Sequence, residues 1–391
     1  MALHFDFVVD RVVHGKIYPH LAQWQAQPYT QEWRQFGHHW PYTIPLRIEE
    51  YCATNRVHIN CGTWDSGPKK WFYPIALNFF AFDIDYFALL PDHIGQALKA
   101  SKLQLLFFYH EGDNPARIAL RLNQLAEQHQ LPHNCYVFVS GNSAADQLRN
   151  FVYFCDFELW FQFRNTVPPV AKRGQPSRDF VLLNRLHKSW RATLTADLLP
   201  VLENSIWSYC ETGMLNDDDN PLEIDSVPGL RDATNKFLCD APYTVDDLSQ
   251  SQRNSHDITV DKFFNDAWMH IVVETHWDAD QSGGAFLTEK TFKPIKNFQP
   301  FFIAGCAGSL QALRNLGYRT FDGVLDNSYD SILDNTQRWR RLKHSIESVK
   351  HCLPEIYQAC WSDMQHNQQL FLGNKTQRLN TLIKNIYEKS Q

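Results

Sequence analysis

IVVETHWDADQSGGAFLTEKTFKPIKNFQPFFIAGCAGSLQALRNLGYRTFD, residues 271–322, holds the pattern that decides the fold class. It continues an apolar run, AWMHIVVET (267–275), of strand length and β-branched content. A loop with Gly283 and Gly284 follows. TEKTFKPIKNF (288–298) then opens as a helix, with Thr288 as its cap and Glu289 in its first turn. PFFIAG (300–305) is a second strand, and GSLQALRNLGY (308–318) a second helix closed by Gly317. Strand, helix, strand, helix in succession implies a parallel sheet with crossover helices. Ligands of such sheets sit beyond the carboxyl ends of the strands.

The same alternation extends toward the N-terminus. KLQLLFFYH (102–110), NCYVFVSGN (134–142), FELWFQF (157–163) and RDFVLLN (178–184) are expected strands. PARIALRLNQLAEQH (115–129), SAADQLRNF (143–151) and RLHKSWRATLTADLL (185–199) are expected helices. TVPPVAKRGQPSR (166–178) is polar, basic and Pro-containing, as a linker would be. The expected organisation is an acceptor-side α/β domain over 1–170, a nucleotide-sugar-binding α/β domain over 178–335 and a helical tail over 336–391. Residues 1–75 show no clear architecture.

With 391 residues the chain is long enough for two domains, and 44% hydrophobic against 20% charged residues provides for real cores. A net charge of −6 weighs against affinity built mainly on phosphate contacts with nucleic acid. Nine cysteines, an odd number with no C-x-x-C pair, read as reduced thiols of a cytoplasmic protein. No basic N-terminal region precedes a long apolar core, and no apolar run reaches 18 residues, so neither a signal peptide nor a membrane span is expected.

Four strand ends carry chemistry. His110, Glu111 and Asp113 follow the first. Arg185, Lys188 and Arg191 follow RDFVLLN. Glu274, Thr275 and His276 follow IVV. Thr288, Glu289, Lys290 and Lys293 open the next helix. Backbone N–H groups at a helix start, with lysines beside them, suit a diphosphate, and a carboxylate in the same turn can accept from a ribose diol. An ordinary capped surface helix is the plain alternative.

The 271–322 stretch resembles the donor-binding segment of the fucosyltransferase-like glycosyltransferases. In these an apolar strand ends in Glu, a short loop follows, and T-E-K opens a helix. Glu274 matches the strand-end Glu, and Thr288, Glu289 and Lys290 match T-E-K, although the intervening loop is longer here. The resemblance implies two facing Rossmann-like α/β domains of the GT-B type. It implies a GDP- or UDP-linked sugar as donor, a glycan or other hydroxyl acceptor, no cofactor and no metal ligand. FFYHEGDNP (107–115) is a looser match to the family's base-bearing strand end, with Glu111 in the base position and His110 as the fallback. Arg185, Lys188 and above all Arg191 fall where the family places an Arg on the donor phosphates.

Three competing readings follow from particular residues. Asp83-Ile84-Asp85 fits the D-x-D string of metal-dependent transferases. Lys172, Arg173 and Arg178 are candidates for a basic cleft of a phage-type transferase acting on hydroxymethylated DNA bases. A fold retained without catalysis would leave a sugar- or nucleotide-binding module. A nucleophilic hydrolase is disfavoured, since no G-x-S-x-G occurs. Asp217, Asp218 and Asp219 read as a solvated loop.

Overall fold

A computed structural model describes residues 4–8, 12–17, 58–62, 71–77, 79–164, 175–245, 261–278 and 282–391. Most of the expected linker, with Lys172 and Arg173, lies outside the described residues. The chain forms two compact units, one of residues 1–155 with 374–391 and the other of residues 156–373.

The first unit holds six parallel strands: β1 (His4–Val8), β2 (His58–Gly62), β3 (Trp71–Leu77), β4 (Leu103–Tyr109), β5 (Tyr136–Ser140) and β6 (Phe151–Tyr153), in the order β2-β1-β3-β4-β5-β6. Among the described residues before 156, its α-helices are α1 (Val12–Ile17), α2 (Asp92–Lys99) and α3 (Pro115–Gln128). Strands β3, β4 and β5 are buried along their whole length, as continuous apolar runs in a covered parallel sheet must be. Pro74 sits inside β3 at no cost to the described ladder. Trp71 N–H donates to Lys102 O on the β4 side, so by alternation position 74 faces β1, whose pairing stops at Phe72. The aromatic surplus is core here: Phe80, Tyr86, Phe107, Phe138 and Phe151 pack in one cluster. Within the D-x-D string, Asp85 Oδ1 accepts from Phe87 N and Ala88 N, and its Oδ2 lies 2.8 Å from His129 Nε2.

The second unit opens with α4 (Asp156–Arg164), where FELWFQF was expected as a strand. An apolar run of this length does not tell a buried strand from a buried helix. Asp156 and Glu158 in the first turn favour the helix dipole. The sheet is β10 (Phe301–Ala304), β9 (Ala267–Val273), β7 (Arg178–Asn184) and β8 (Ile206–Tyr209), all parallel and in that order. Around it lie α5 (Ser189–Leu198), α6 (Leu230–Asp240), α7 (Asp261–Asp266), α8 (Glu289–Lys296) and α9 (Ser309–Asn315). They are followed by α10 (Asn335–Val349), α11 (Leu353–Ala359) and α12 (Trp361–Gly373).

Strand β8 was not expected from sequence. The segment expected as a helix over 143–151 is a single 3-10 turn, Ser143–Gln147, followed by β6. The expected helical tail is helical but divided. Helices α10, α11 and α12 pack with the second sheet, whereas α13 (Lys375–Lys389) belongs to the first unit, where Lys389 Nζ donates to Leu148 O at 2.6 Å and Gln104 Nε2 to Ser390 O at 3.1 Å.

Candidate functional site

The order β10-β9-β7-β8 contains a topological switch point. The chain leaves β7 for β8 on one side and returns to β9 on the other, which opens a crevice beyond the carboxyl ends of β7 and β9. The segments leaving these two strands begin at Arg185 and Glu274.

Residues 185–188 form a loop rather than the expected start of a helix. α5 begins at Ser189, with Lys188 extended at the cap position. Two cations, the half-buried Lys188 of the loop and the buried Arg191 of α5, reach the end of β9. Lys188 Nζ donates to Thr275 O at 2.8 Å, and Arg191 Nη2 donates to Glu274 O at 2.7 Å. Arg191 is 4% exposed. Burial pushes its guanidinium down to about 10, with the Glu274 carboxylate pulling the other way, so it is cationic at neutral pH. Burial, with Arg191 and Lys290 adding like charge, pushes Lys188 down to about 8. His187 holds the next loop in place, with Nδ1 2.7 Å from Tyr209 Oη and Nε2 3.0 Å from Met214 O.

Helix α8 starts as its sequence predicts. Thr288 caps it by accepting from Lys290 N. The packing beneath it was not legible. Glu274 is buried, and its carboxylate accepts from Thr288 N at 3.0 Å, Thr288 Oγ1 at 2.6 Å and Thr291 Oγ1 at 2.6 Å. Expected as a contact to the donor, this side chain is instead aimed at the helix start and fixes α8 against the end of β9. Lys290 Nζ then lies 3.1 Å from Thr288 Oγ1, 3.4 Å from Thr275 Oγ1 and 3.3 Å from Glu289 Oε1. Glu289 is buried beside it. Burial lowers the Lys293 ammonium, Lys290 and Arg185 add like-charge repulsion, and Glu289 opposes them. The eight residues singled out in this half of the chain therefore lie in one place. Arg185, Lys188, Arg191 and Lys290 supply cations against the carboxylates of Glu274 and Glu289, with Lys293, whose ammonium burial disfavours, beside them. An anion placed there gains fixed positive charge in a site with little water.

A pocket adjoins this cluster, lined by Lys188, Trp190, Asp219, Pro221, Thr275, His276, Trp277 and Asp278. Trp190 and Trp277 form one wall, with ring centroids 5.6 Å apart. The Arg338 guanidinium stacks 4.5 Å from the Trp277 ring centroid and donates to Trp277 O at 2.5 Å. The loop bearing Asp219 is tied to α5, since Asn216 N donates to Ser189 Oγ at 2.9 Å and Asn220 Nδ2 to Thr193 Oγ1 at 3.1 Å. The acidic run thus divides. Asp217 pairs with Arg231 at 3.1 Å on the surface, and Asp219 joins the pocket wall. Trp190, Trp277 and Asp219 were missed from sequence. The two tryptophans flank the charged strand-end residues, which was the one available signal.

The pH profile of anion binding follows from Lys188. Its cation is present below about 8 and lost above it, so the affinity of this site for an anion such as pyrophosphate falls as pH rises through about 8. Titration calorimetry at pH 7 and pH 9 checks this, and Lys188→Met abolishes the step.

In the first unit, the loop after β4 carries the other two candidates. His110 Nε2 lies 3.5 Å from Glu111 Oε1; the histidine is buried and the Glu111 side chain is 37% exposed. The loop is tightly held. Asn142 Nδ2 donates to Gly112 O at 2.8 Å, Tyr109 Oη donates to Asp113 Oδ2 at 2.5 Å, and Asn114 caps α3. Gly141 passes so close that a Cβ there would meet His110 O at 2.1 Å. Asp113 thus accepts from Tyr109, and both Asp113 and Glu111 are half-buried.

Among the described residues, no helix is long and apolar enough to cross a membrane, and no group of three or more His, Cys, Asp or Glu side chains is placed to hold a metal ion. Arg178, of the expected basic cleft, donates to Asn204 Oδ1 at 3.2 Å at the exposed start of β7.

No family model matches the chain, and no curated protein matches it. Among solved structures it is similar to a mutant of T4 phage BGT in complex with UDP-glucose. That similarity has 9% identity and a TM-score of 0.35, and covers 87% of this chain and 93% of the other. A likeness of this degree bears on neither substrate nor site residues.

Proposed function

We propose that the protein is a glycosyltransferase that moves a sugar from a nucleoside diphosphate sugar to an acceptor hydroxyl, with inversion and without a metal ion. The observation that carries this reading is the convergence of Arg185, Lys188, Arg191, Lys290 and Lys293 at the switch point, around the capped start of α8. As the bond to the sugar breaks, negative charge accumulates on the departing diphosphate. Cations already fixed in a water-poor site stabilise that charge without reorganising. In this scheme Arg191 and Lys290 hold the diphosphate, with Lys188, Arg185 and Lys293 around them. Thr288 and Glu289 form the edge of the site, and Glu289 takes the ribose diol. Glu274 positions α8. Glu111 takes the proton from the acceptor hydroxyl as general base, with His110 as the fallback base. Inversion is what the resemblance implies for a transferase with a single base. The segment's resemblance to fucosyltransferase-like enzymes supports a hexose or deoxyhexose donor carried on GDP or UDP.

A thermal-shift panel of UDP-, GDP- and dTDP-sugars tests the donor site. A ligand that binds only the native state at a hundred times its Kd adds about 2.7 kcal/mol, a shift of several degrees. No shift with any member overturns the reading. Glu111→Gln tests the base. Donor binding is retained while turnover falls about 10²–10⁴-fold, and unchanged turnover removes Glu111 from that role.

A further inference from the structure

The pocket beside the cation cluster differs in chemistry from the cluster itself. Resting on the donor reading above, we propose that this pocket receives the sugar of the donor and selects an uncharged, hydroxyl-bearing sugar over one that carries a carboxylate. The two regions are continuous. Lys188 and Thr275 line the pocket, and Lys290 Nζ lies 3.4 Å from Thr275 Oγ1, so a group attached to a diphosphate held by Lys290 and Lys188 enters the pocket next.

Three features define what fits. First, the pocket wall bears two carboxylates, Asp219 and Asp278, opposite the cationic side. Ionised carboxylates only accept hydrogen bonds. Sugar hydroxyls donate to them, whereas a uronate carboxylate offers no proton and adds a like charge. Second, Lys188, the cation that lines the pocket, is committed to the diphosphate end, where its Nζ also donates to Thr275 O, and Asp278 shares its charge with Arg338. Asp219, which faces Lys188 electrostatically and is exposed at the rim, is the group left to discriminate. Third, Trp190 and Trp277 are 3% and 1% exposed, and each ring is covered by the other or by Arg338. Their faces are not open for a nucleobase to stack on. They form an apolar floor, and the polar rim suits a compact polyhydroxyl ring.

The test measures direct binding by calorimetry of two matched pairs, UDP-glucose with UDP-glucuronate and GDP-mannose with GDP-mannuronate, alongside UDP, GDP and dTDP alone. The wild-type protein is expected to favour the neutral member of the pair whose nucleotide it accepts by about tenfold or more, since like charges juxtaposed in an interface cost affinity. In Asp219→Asn, whose exposed side chain lets it fold, the gap narrows severalfold toward parity because the uronate gains. Equal wild-type affinity for both members of the pair, or an unchanged ratio in Asp219→Asn, overturns the selection. If none of UDP, GDP and dTDP binds, the donor reading itself falls, which separates the two failures.

Discussion

Glu274→Ala lowers the unfolding free energy of the second unit by about 3–5 kcal/mol, the magnitude expected when one partner of a buried charged network is removed. The side chain is 1% exposed and serves three donors at 2.6–3.0 Å. Its loss leaves one backbone N–H and two threonine hydroxyls buried without their acceptor. It also leaves the Arg191 guanidinium, 4% exposed, without the carboxylate that offsets its burial. Glu274→Gln keeps the volume and the acceptor oxygen for Thr288 N and Thr291 Oγ1, and the Thr288 hydroxyl can accept from its amide, so about 1–2 kcal/mol is expected there. Urea denaturation followed by tryptophan fluorescence reads both, since Trp190, Trp277 and Trp339 pack together in this unit. A loss below about 1 kcal/mol for the alanine variant would refute the assignment of Glu274 as the group that pins α8.

Arg191→Met tests the cation cluster as a diphosphate site, with the thermal melt read beside the affinity. Arg191 is the most deeply buried arginine of the cation cluster, and its Nη2 reaches the main chain at the end of β9. A charge-assisted contact to a diphosphate, removed from a desolvated site, is expected to weaken nucleoside diphosphate affinity by about 10²–10³-fold. Stability falls as well, because methionine fills similar volume but leaves the buried Glu274 carboxylate without its cation and Glu274 O without its donor. Arg191→Lys recovers part of the affinity but not the planar geometry of the guanidinium. Calorimetry gives the affinities and a thermal melt the stability. Affinity within threefold of wild type would show that the guanidinium is there to brace β9 and not to meet a ligand.

Sequence and structure agree where short-range rules dominate. RDFVLLN is strand β7 at its expected bounds, and Thr288 caps α8 as its residue type requires. They part where burial is the controlling variable. FELWFQF has the length and apolarity of a strand, yet it is a buried helix, with the Tyr318 hydroxyl donating to Glu158 from a distant loop. The basic segment RLHK has the composition of a helix start, but Lys188 and Arg191 reach the carbonyls beyond β9 from an extended loop and the first turn of α5.

The class of fold and the candidate cations were therefore readable from the chain alone. Hydrophobic period, caps and glycines act over a few residues, and each strand end can be located from its neighbours. Three facts required the tertiary structure. Glu274 is spent on holding α8, Asp219 leaves its solvated run to face Lys188, and α13 returns to the first sheet. Each depends on which groups meet after segments distant in sequence pack together. The free energy of a buried charge is set by those partners and by the water they exclude, and neither is encoded in the residue's own sequence neighbourhood.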